Sequence, residues 1–293
     1  MIAIDWGTSS FRAYRLDATG SVLDKRSAAL GILHVEGGRF AQALQSQVQD
    51  WIEAGEQPIV MSGMIGSRQG WVEAPYVPCP AGLEAIAEAM KEVQWLGRRG
   101  FIAPGLSTRD GDGVPDVMRG EETQILGVLD SLPASGALIC LPGTHSKWVE
   151  VKDRRIVHFA THMTGEVFAV LREHSILGRM MSGAATDADW FDAGVQRAQQ
   201  SSSLLHHLFG VRARGLFGEL PEGAAASYLS GILIGHELAS ARSGERPVYL
   251  LGSSELAGWY QRALRQVGQA CIALDPDAAV RGLFILANRL TGR

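Results

Sequence analysis

The strongest constraint on the fold of this chain is a strand–turn–strand pattern that occurs twice, 136 positions apart. IAIDWGTSSFRAYRLD at 2–17 and LICLPGTHSKWVEV at 138–151 each join an apolar strand to a return strand through a Gly-Thr-x-Ser turn. A third strand is predicted after each copy, at 21–28 and 155–160. Because self-similarity at a fixed offset indicates duplication, we expect two related halves whose turns face each other across a cleft.

The elements of the first half follow from hydrophobic periodicity. Apolar residues three and four apart predict helices over 38–54 and 81–93, and a short buried strand is predicted at 58–64. A Gly/Asp/Pro-rich loop over 107–120 then leads to a helix that starts near residue 121. The order βββαβα predicts an α/β fold with a mixed sheet and helices on its faces.

We therefore predict two lobes. Residues 1–130 would form an N-terminal lobe and residues 131–293 a C-terminal lobe, with the final helix, 277–291, as a candidate to pack back on the N-terminal lobe. A chain of 293 residues is long for one core and sufficient for two.

Composition excludes several classes of protein. The formal charge of −4 and the lack of a dense Lys/Arg run argue against nucleic acid as a partner. No apolar stretch approaches the roughly 20 residues that span a bilayer, so we expect no membrane association. The first strand begins at Ile2 without a basic region before it, and the three cysteines form no CxxC pair. We therefore expect no secretory signal and a cytoplasmic location.

The first turn carries a pattern suited to a magnesium-bound phosphate. Asp5 lies at the tip of a buried strand, and Gly7 allows a tight turn whose Thr8 and Ser9 can hydrogen-bond phosphate oxygens. Asp5 could hold Mg²⁺ through water. A simple hairpin with a buried, capped aspartate is the alternative. The second turn has Leu141 in the place of Asp5, so we expect a metal-binding carboxylate in only one hairpin.

Five segments, in this order, resemble the 2-dehydro-3-deoxygalactonokinase family: IDWGTSSFRAY, MSGMIGSRQGW, RGEETQILG, LPGTHSKW and YLLGSSEL. The family belongs to the superfamily of sugar kinases, heat-shock proteins and actin, and the likeness extends from residue 2 to the last helix. It implies a two-domain ribonuclease-H-like (actin-like ATPase) fold, with ATP and Mg²⁺ as cofactors. It also implies phosphorylation of the C6 hydroxyl of 2-dehydro-3-deoxy-D-galactonate in galactonate catabolism.

The resemblance assigns roles to three glycine-containing turns. The two hairpins would bind the phosphates of ATP, and the strand-to-helix turn in YLLGSSEL would bind adenosine. The nucleotide-binding residues implied are Gly7, Thr8, Ser9, Gly143, Thr144, Ser146, Gly252, Ser253 and Ser254, with Asp5 for the metal. An ordinary helix start would also explain the serines of the last turn.

A sugar hydroxyl needs a carboxylate base. Kinases of the superfamily place an acid at a helix N-terminus shortly before the second hairpin, which corresponds here to Glu121, where an aspartate is usual. Glu122 is the nearest rival. The alternative is that both glutamates only stabilise the helix through its dipole.

The carboxylate of a sugar acid calls for a cationic partner, and a planar arginine is the natural one. Arg68 lies on a glycine-rich loop in which Gly66 and Ser67 offer backbone amides, and Arg12 lies on the first return strand. We favour Arg68 over Arg12. Thr164 begins a helix after a strand and could line the same pocket, or act as a plain cap.

Two other functions are compatible with the sequence. A kinase of the same fold could act on the gluconate epimer, and a non-enzymatic sugar-acid sensor could share the fold. A sensor or repressor usually carries an added DNA-binding segment, for which we expect no room before Ile2. A homodimer is a common state for enzymes of this size.

Overall fold

The structure is a computed structural model that describes residues 1–95, 97–241, 244 and 246–292. The chain forms two compact units. The first comprises Met1–Gly136, Glu150–Phe159 and Asp275–Arg293, and the second Ala137–Val149 and Ala160–Leu274. The lobes expected from the sequence, 1–130 and 131–293, differ from these units because residues 150–159 and 275–293 cluster with the first unit. Their functional roles stay a prediction.

The first unit is built on a six-stranded sheet. Its elements are β1 (Ile2–Trp6), β2 (Phe11–Leu16), β3 (Val22–Ala28), α1 (Phe40–Glu53), β4 (Ile59–Ser62), β5 (Tyr76–Pro78), α2 (Leu83–Glu88), β6 (Lys91–Trp95), β7 (Arg98–Ile102), β8 (Gly105–Arg109), β9 (Pro115–Met118) and α3 (Glu121–Val128). The strand order is β3-β2-β1-β4-β7-β6. The strand pairs β1–β2 and β2–β3 are antiparallel, whereas β4 is parallel to both β1 and β7.

Strand β1 lies at the centre of this sheet because both of its faces are apolar. Ile2, Ile4 and Trp6 pack in one core with α1, and Ala3 packs on the other face. That second face is covered by the last helix, α9 (Ala278–Thr291), which also packs against α3. The last helix therefore covers the face of the sheet that β1 and β4 share.

Two expectations for the first unit were wrong. The helix predicted over 81–93 ends at Glu88, and Lys91–Trp95 forms β6, which pairs antiparallel with β7. Val93 and Trp95 are buried while Glu92 and Gln94 are exposed, so the alternation of an edge strand decides the structure here. The loop predicted over 107–120 contains a hairpin instead, β8–β9, which joins β5 in a small third sheet.

The second unit repeats the strand order of the first. Its elements, with the strands that cross the unit boundary, are β10 (Ala137–Leu141), β11 (Ser146–Lys152), β12 (Arg155–His162), α4 (Thr164–His174), α5 (Ala188–Ala198), α6 (Leu204–Leu216), α7 (Glu222–Ser240), β13 (Val248–Leu250), α8 (Ser254–Gln266) and β14 (Cys271–Ala273). The sheet order β12-β11-β10-β13-β14 matches β3-β2-β1-β4-β7 position for position. The predicted duplication of the α/β core is confirmed.

Helix α7 is the centre of the second unit. Most of its residues are buried, and it packs against α5 and α6 as well as against the sheet. Because it is apolar nearly all round, a polar side chain in its middle needs an internal partner. Among the residues that the structure describes, no helix combines the length and the apolar character required to cross a membrane.

Candidate active site

The first hairpin turn, at the end of β1, exposes its hydroxyl groups while hydrogen bonds fix its backbone. The amide of Gly7 donates to the carbonyl of Ser10 at 2.9 Å, and the amide of Ile32 donates to the carbonyl of Gly7 at 3.0 Å. Thr8 and Ser9 are exposed. The turn therefore presents two hydroxyl groups on a fixed backbone, as a phosphate-binding turn requires.

Gly31, in the segment after β3, packs directly against the backbone of this turn. A Cβ atom at position 31 would lie 2.2 Å from the carbonyl oxygen of Thr8 and 2.3 Å from the amide nitrogen of Ser9. Since real Cβ atoms do not approach backbone so closely, only glycine lets the segment after β3 pack against the turn.

Asp5 and Arg12 form an ion pair across the β1–β2 ladder, where they are register partners. Arg12 Nη1 lies 3.3 Å from Asp5 Oδ2. Burial raises the pKa of Asp5 above its ordinary value, although Arg12 acts in the opposite direction. Arg12 therefore neutralises the negative charge of Asp5 only in part, and a second cation beside this carboxylate would stabilise its ionised form.

Close glycine contacts bring three segments together around Asp5. Ser62, the last residue of β4, is the parallel register partner of Asp5. A Cβ atom at the next residue, Gly63, would lie 2.8 Å from the carbonyl oxygen of Trp6 and 3.5 Å from Asp5 Oδ1. Gly120, just before α3, also lies close to Gly63, since its Cβ would be 3.2 Å from the Cα of Gly63. The tip of β1, the loop after β4 and the start of α3 thus converge.

The two glutamates that open α3 are in different environments. Glu122 is fully buried, accepting a hydrogen bond from the amide of Gly120 at 2.7 Å and another from the hydroxyl of Thr123 at 3.0 Å. Burial and the neighbouring Glu121 raise the pKa of Glu122 to about 8. Glu121 is only half-buried, and its Oε2 accepts from the amide of Arg119 at 3.0 Å. Glu121 is therefore the one that keeps access to a ligand.

Arg68, the arginine favoured from the sequence, lies at the surface. Its side chain is 88% exposed, and Nε lies 3.7 Å from Glu73 on the same loop. Gly66 and Ser67 beside it are buried. Arg119, which was not among the residues expected from the sequence, has a guanidinium that is buried beside this loop. Its position directly before the Gly-Glu-Glu segment was the signal that could have indicated it.

The second hairpin turn, at the end of β10, packs against the start of α4. Thr144 and His145 are exposed, and the amide of Glu166 donates to the carbonyl of Thr144 at 3.0 Å. A Cβ atom at Gly165 would lie 2.6 Å from the carbonyl oxygen of Gly143. This turn, like the first, presents an exposed threonine and is supported by a glycine.

A buried carboxylate in α7 connects the elements around the second hairpin. Glu237, 3% exposed, accepts from Trp148 Nε1 at 2.8 Å, from the Tyr260 hydroxyl at 2.7 Å and from the Thr164 hydroxyl. The hydroxyl of Ser146 is fully buried and bonded to that of Tyr260 at 2.8 Å. The side chains of Ser146 and Thr164, both expected at a ligand, therefore have internal partners in this structure.

The turn after β13 lies beside the second hairpin in the same unit. The amide of Leu251 donates to the carbonyl of Cys140 at 2.9 Å, and a Cβ atom at Gly252 would lie 3.5 Å from Pro142 Cδ. Ser253 is exposed and Ser254 begins α8, although the side chain of Ser254 lies outside the described part of the chain. The structure thus brings the turn expected for adenosine next to a turn expected for phosphate.

Comparison with known proteins gives relatives along nearly the whole chain. The protein assigned as a 2-dehydro-3-deoxygalactonokinase in Rhizobium meliloti (strain 1021) is 41% identical over 298 residues, covering 98% of this chain and 96% of its own. The 2-dehydro-3-deoxygalactonokinase of Escherichia coli (strain K12) is 37% identical over 281 residues, covering 95% and 94%.

A solved structure extends this likeness to the fold. The crystal structure assigned to a 2-dehydro-3-deoxygalactonokinase protein from Sinorhizobium meliloti has a TM-score of 0.90 at 39% identity, covering 99% of this chain and 98% of that chain. The repeated sheet order with a turn at each first strand defines the ribonuclease-H-like class of actin-like ATPases and sugar kinases. A family model described as 2-keto-3-deoxy-galactonokinase matches residues 5–286, and the chain belongs to that family. The membership expected from the five segments is confirmed.

Proposed function

We propose that this protein transfers the γ-phosphoryl group of ATP to the C6 hydroxyl of 2-dehydro-3-deoxy-D-galactonate, giving 2-dehydro-3-deoxy-6-phosphogalactonate. The family match over residues 5–286 supports the reaction class. The structural observation that carries the proposal is the convergence of Asp5, the loop at Gly63 and the start of α3 at Gly120. The reaction would precede aldol cleavage in galactonate breakdown. We place it in the cytoplasm, where free cysteines such as Cys79, Cys140 and Cys271 are usual.

The exposed turns supply the nucleotide contacts in this proposal. Phosphoryl transfer depends mainly on positioning and charge neutralisation. Backbone amides and hydroxyls of the two hairpins would bind the phosphates, and the turn after β13 would bind adenosine. The residues proposed are Gly7, Thr8, Ser9, Gly143, Thr144, Gly252, Ser253 and Ser254, with Ser146 contributing through its backbone.

Magnesium fits the chemistry around Asp5. Within the described part of the chain, no three His, Cys, Asp or Glu side chains cluster as a complete metal site. Mg²⁺ in kinases is held by one or two carboxylates together with waters and substrate phosphates. A single, incompletely compensated carboxylate at Asp5 meets that requirement. When bound there, the ion would neutralise phosphate charge.

Glu121 is the proposed general base. It would accept the proton of the C6 hydroxyl as that oxygen attacks phosphorus, because its carboxylate lies at the start of α3 and is only half-buried. Glu122 is a weaker candidate because it is fully buried and hydrogen-bonded internally.

The sugar acid would bind next to this base. Gly66 and Ser67, on the loop after β4, are proposed to line the pocket of the acid. Their amides donate to the carbonyls of Gly63 and Met64, so the group left for the acid is the Ser67 hydroxyl. Arg68 is proposed as an outer cation. Arg12 is ion-paired with Asp5, so we propose that it positions that carboxylate as well as the substrate. Thr164 would act through the amides of α4, since its hydroxyl is bonded to Glu237.

The test is phosphorylation of the two epimeric acids by the purified protein. We expect Mg²⁺-dependent consumption of ATP with 2-dehydro-3-deoxy-D-galactonate, a product phosphorylated at C6 by ³¹P NMR, and a lower kcat/KM for the gluconate epimer. Equal kcat/KM values for the two epimers would defeat the galactonate assignment. Binding of the acid without any phosphoryl transfer would favour a sensor of the same fold.

A further inference from the structure

Unpartnered polar atoms cluster at one buried place in the first unit. Across the part of the chain that the structure describes, five buried side-chain nitrogen or oxygen atoms have no hydrogen-bond partner. Three of the five are Nε and Nη1 of Arg119 and Oγ of Ser67. Arg119 Nη1 lies beside Gly66, since a Cβ atom there would be 3.0 Å from it, and Ser67 is the next residue. Native proteins rarely leave such groups unpaired, so this cluster calls for a partner.

The guanidinium of Arg119 is fixed on two sides. Its Nη2 donates to the carbonyl of Ala74 at 2.8 Å, and its Cζ lies 4.4 Å from the centroid of the Tyr76 ring. The residue is only 9% exposed. Nη1 and the second N–H of Nη2 form one edge of the guanidinium, the geometry that a carboxylate accepts in a bidentate manner.

Because Arg119 is buried, pairing it with an anion changes the free energy more than pairing an exposed arginine does. A buried charge without a counter-charge is costly, whereas an exposed pair such as Arg68 and Glu73 contributes little. An anion that reached Arg119 would therefore gain far more than one that reached Arg68. Among the residues that the structure describes, no acidic side chain forms an ion pair with Arg119, and the neighbouring Ser67 hydroxyl adds a donor.

Arg119 also lies next to the proposed base. Its backbone amide donates to Glu121 Oε2 at 3.0 Å, two residues along the chain. Arg119 and Glu121 therefore belong to one short segment, and we expect an acid whose hydroxyl is at Glu121 to reach the guanidinium with its carboxylate. The chemistry of the cluster fits a small organic carboxylate.

We propose that Arg119, assisted by the Ser67 hydroxyl, binds the carboxylate of the sugar acid. The inference rests on the proposed function and specifies its substrate contact. Because Arg119 Nη1 lies against the backbone at Gly66, the carboxylate gains access to it when Gly66 shifts away from that nitrogen.

The test compares 2-dehydro-3-deoxy-D-galactonate with its C1 amide, which keeps the shape and loses the charge. The measured quantity is the ratio of kcat/KM for the acid to kcat/KM for the amide. In Arg119→Gln we expect this preference to fall about 10- to 100-fold, mostly through the KM of the acid, since a charged hydrogen bond is lost. Arg119→Lys should restore part of it. Arg99→Gln, the matched surface control, removes an exposed arginine that lies 3.7 Å from Glu92 and should leave the ratio within about threefold.

A purely structural role for Arg119 would lower kcat/KM for acid and amide equally and leave the ratio unchanged, which would overturn the proposal. Loss of the preference in Arg68→Gln instead would also overturn it. If Arg119→Gln fails to fold, Ser67→Ala decides, because it removes one hydroxyl and should lower the preference about threefold or more. An unchanged preference in Ser67→Ala would then reject the site. If the wild-type protein phosphorylates neither compound, the proposed function fails, and calorimetric binding of acid and amide to the same variants tests Arg119 separately.

Discussion

The hydroxyl of Tyr260 donates to the buried carboxylate of Glu237 at 2.7 Å. Tyr260 lies in α8, which follows the turn at Gly252, and Glu237 lies in α7. Through Ser146 and Thr164, the same carboxylate network reaches the second hairpin and the start of α4. One charged group therefore sets the mutual positions of the elements proposed to bind the nucleotide in the second unit.

Removing one hydroxyl from this network should weaken nucleotide binding. In Tyr260→Phe the ring remains, but Glu237 and Ser146 each lose a partner, so we expect the KM for ATP to rise about 5- to 20-fold with a smaller change in kcat. Steady-state kinetics at saturating sugar acid measures this. Tyr249→Phe, in β13 and outside the network, is the control. A lowered Tm with an unchanged KM for ATP would show that the network only stabilises the fold.

Charge removal at Glu121 should reduce the chemical step. Because a general base contributes about 10²- to 10⁴-fold, we expect Glu121→Gln to lose kcat by that order while the Kd for ATP stays close to that of the wild type. Glu122→Gln keeps the shape of the buried neighbour and should retain kcat within about fivefold. Full turnover by Glu121→Gln would remove Glu121 as the base, and a large loss in Glu122→Gln alone would transfer the role.

The buried Glu122 should make stability fall as pH rises. Its pKa is about 8 in the folded protein against 4.5 in the reference state, so between these values the folded chain holds a proton that the unfolded chain releases. The free energy of unfolding from this group therefore decreases with rising pH, by up to about 1.4 kcal/mol per pH unit. Urea unfolding at pH 5.5, 6.5, 7.5 and 8.5 should show Glu122→Gln gaining stability relative to the wild type as pH rises. If the difference in free energy of unfolding between Glu122→Gln and the wild type did not change with pH, Glu122 would not be protonated in the folded protein.

The contact between Gly165 and the second hairpin should not tolerate a methyl group. Gly165→Ala places a Cβ atom 2.6 Å from the carbonyl of Gly143 and 2.8 Å from the Cα of Thr144, so the turn must shift. We expect a rise of at least about tenfold in the KM for ATP, because positioning dominates this chemistry. Gly210→Ala, in α6 with open space around it, is the helical control and should leave kinetics unchanged. Unchanged ATP kinetics in Gly165→Ala would mean that the turn does not bind phosphate.

The duplicated sheet could be predicted from sequence because both copies carry the same local pattern. A strand that is buried on both faces and followed by a Gly-Thr-x-Ser turn can adopt few other structures, as β1 and β10 show. The segment 81–118 was misjudged because short elements there depend on tertiary partners. Val93 and Trp95 are buried because their strand pairs with β7 and their side chains join the core of the first unit, and the β8–β9 hairpin gains a third strand from β5, far away in sequence.

The site was predictable only in part. Asp5, Gly7 and Thr8 lie within four consecutive residues, so one local pattern contains both these residues and the turn that positions them. The convergence of Gly63 and Gly120 with Asp5 depends on pairing between segments about 60 residues apart or more, which no local pattern reveals. The burial of Arg119 and the exposure of Arg68 also depend on packing, so residue type alone could not distinguish the two arginines.

The most direct test of the central claim asks whether both threonine turns bind the phosphates of ATP. Thr8→Glu and Thr144→Glu each place a like charge at an exposed turn position, and Ser201→Glu, at an exposed loop position, is the control. Calorimetric titration should show each turn variant losing ATP affinity by about 30-fold or more while adenosine affinity stays unchanged, because only the phosphates meet the added charge. Undiminished ATP affinity in either turn variant would contradict the account.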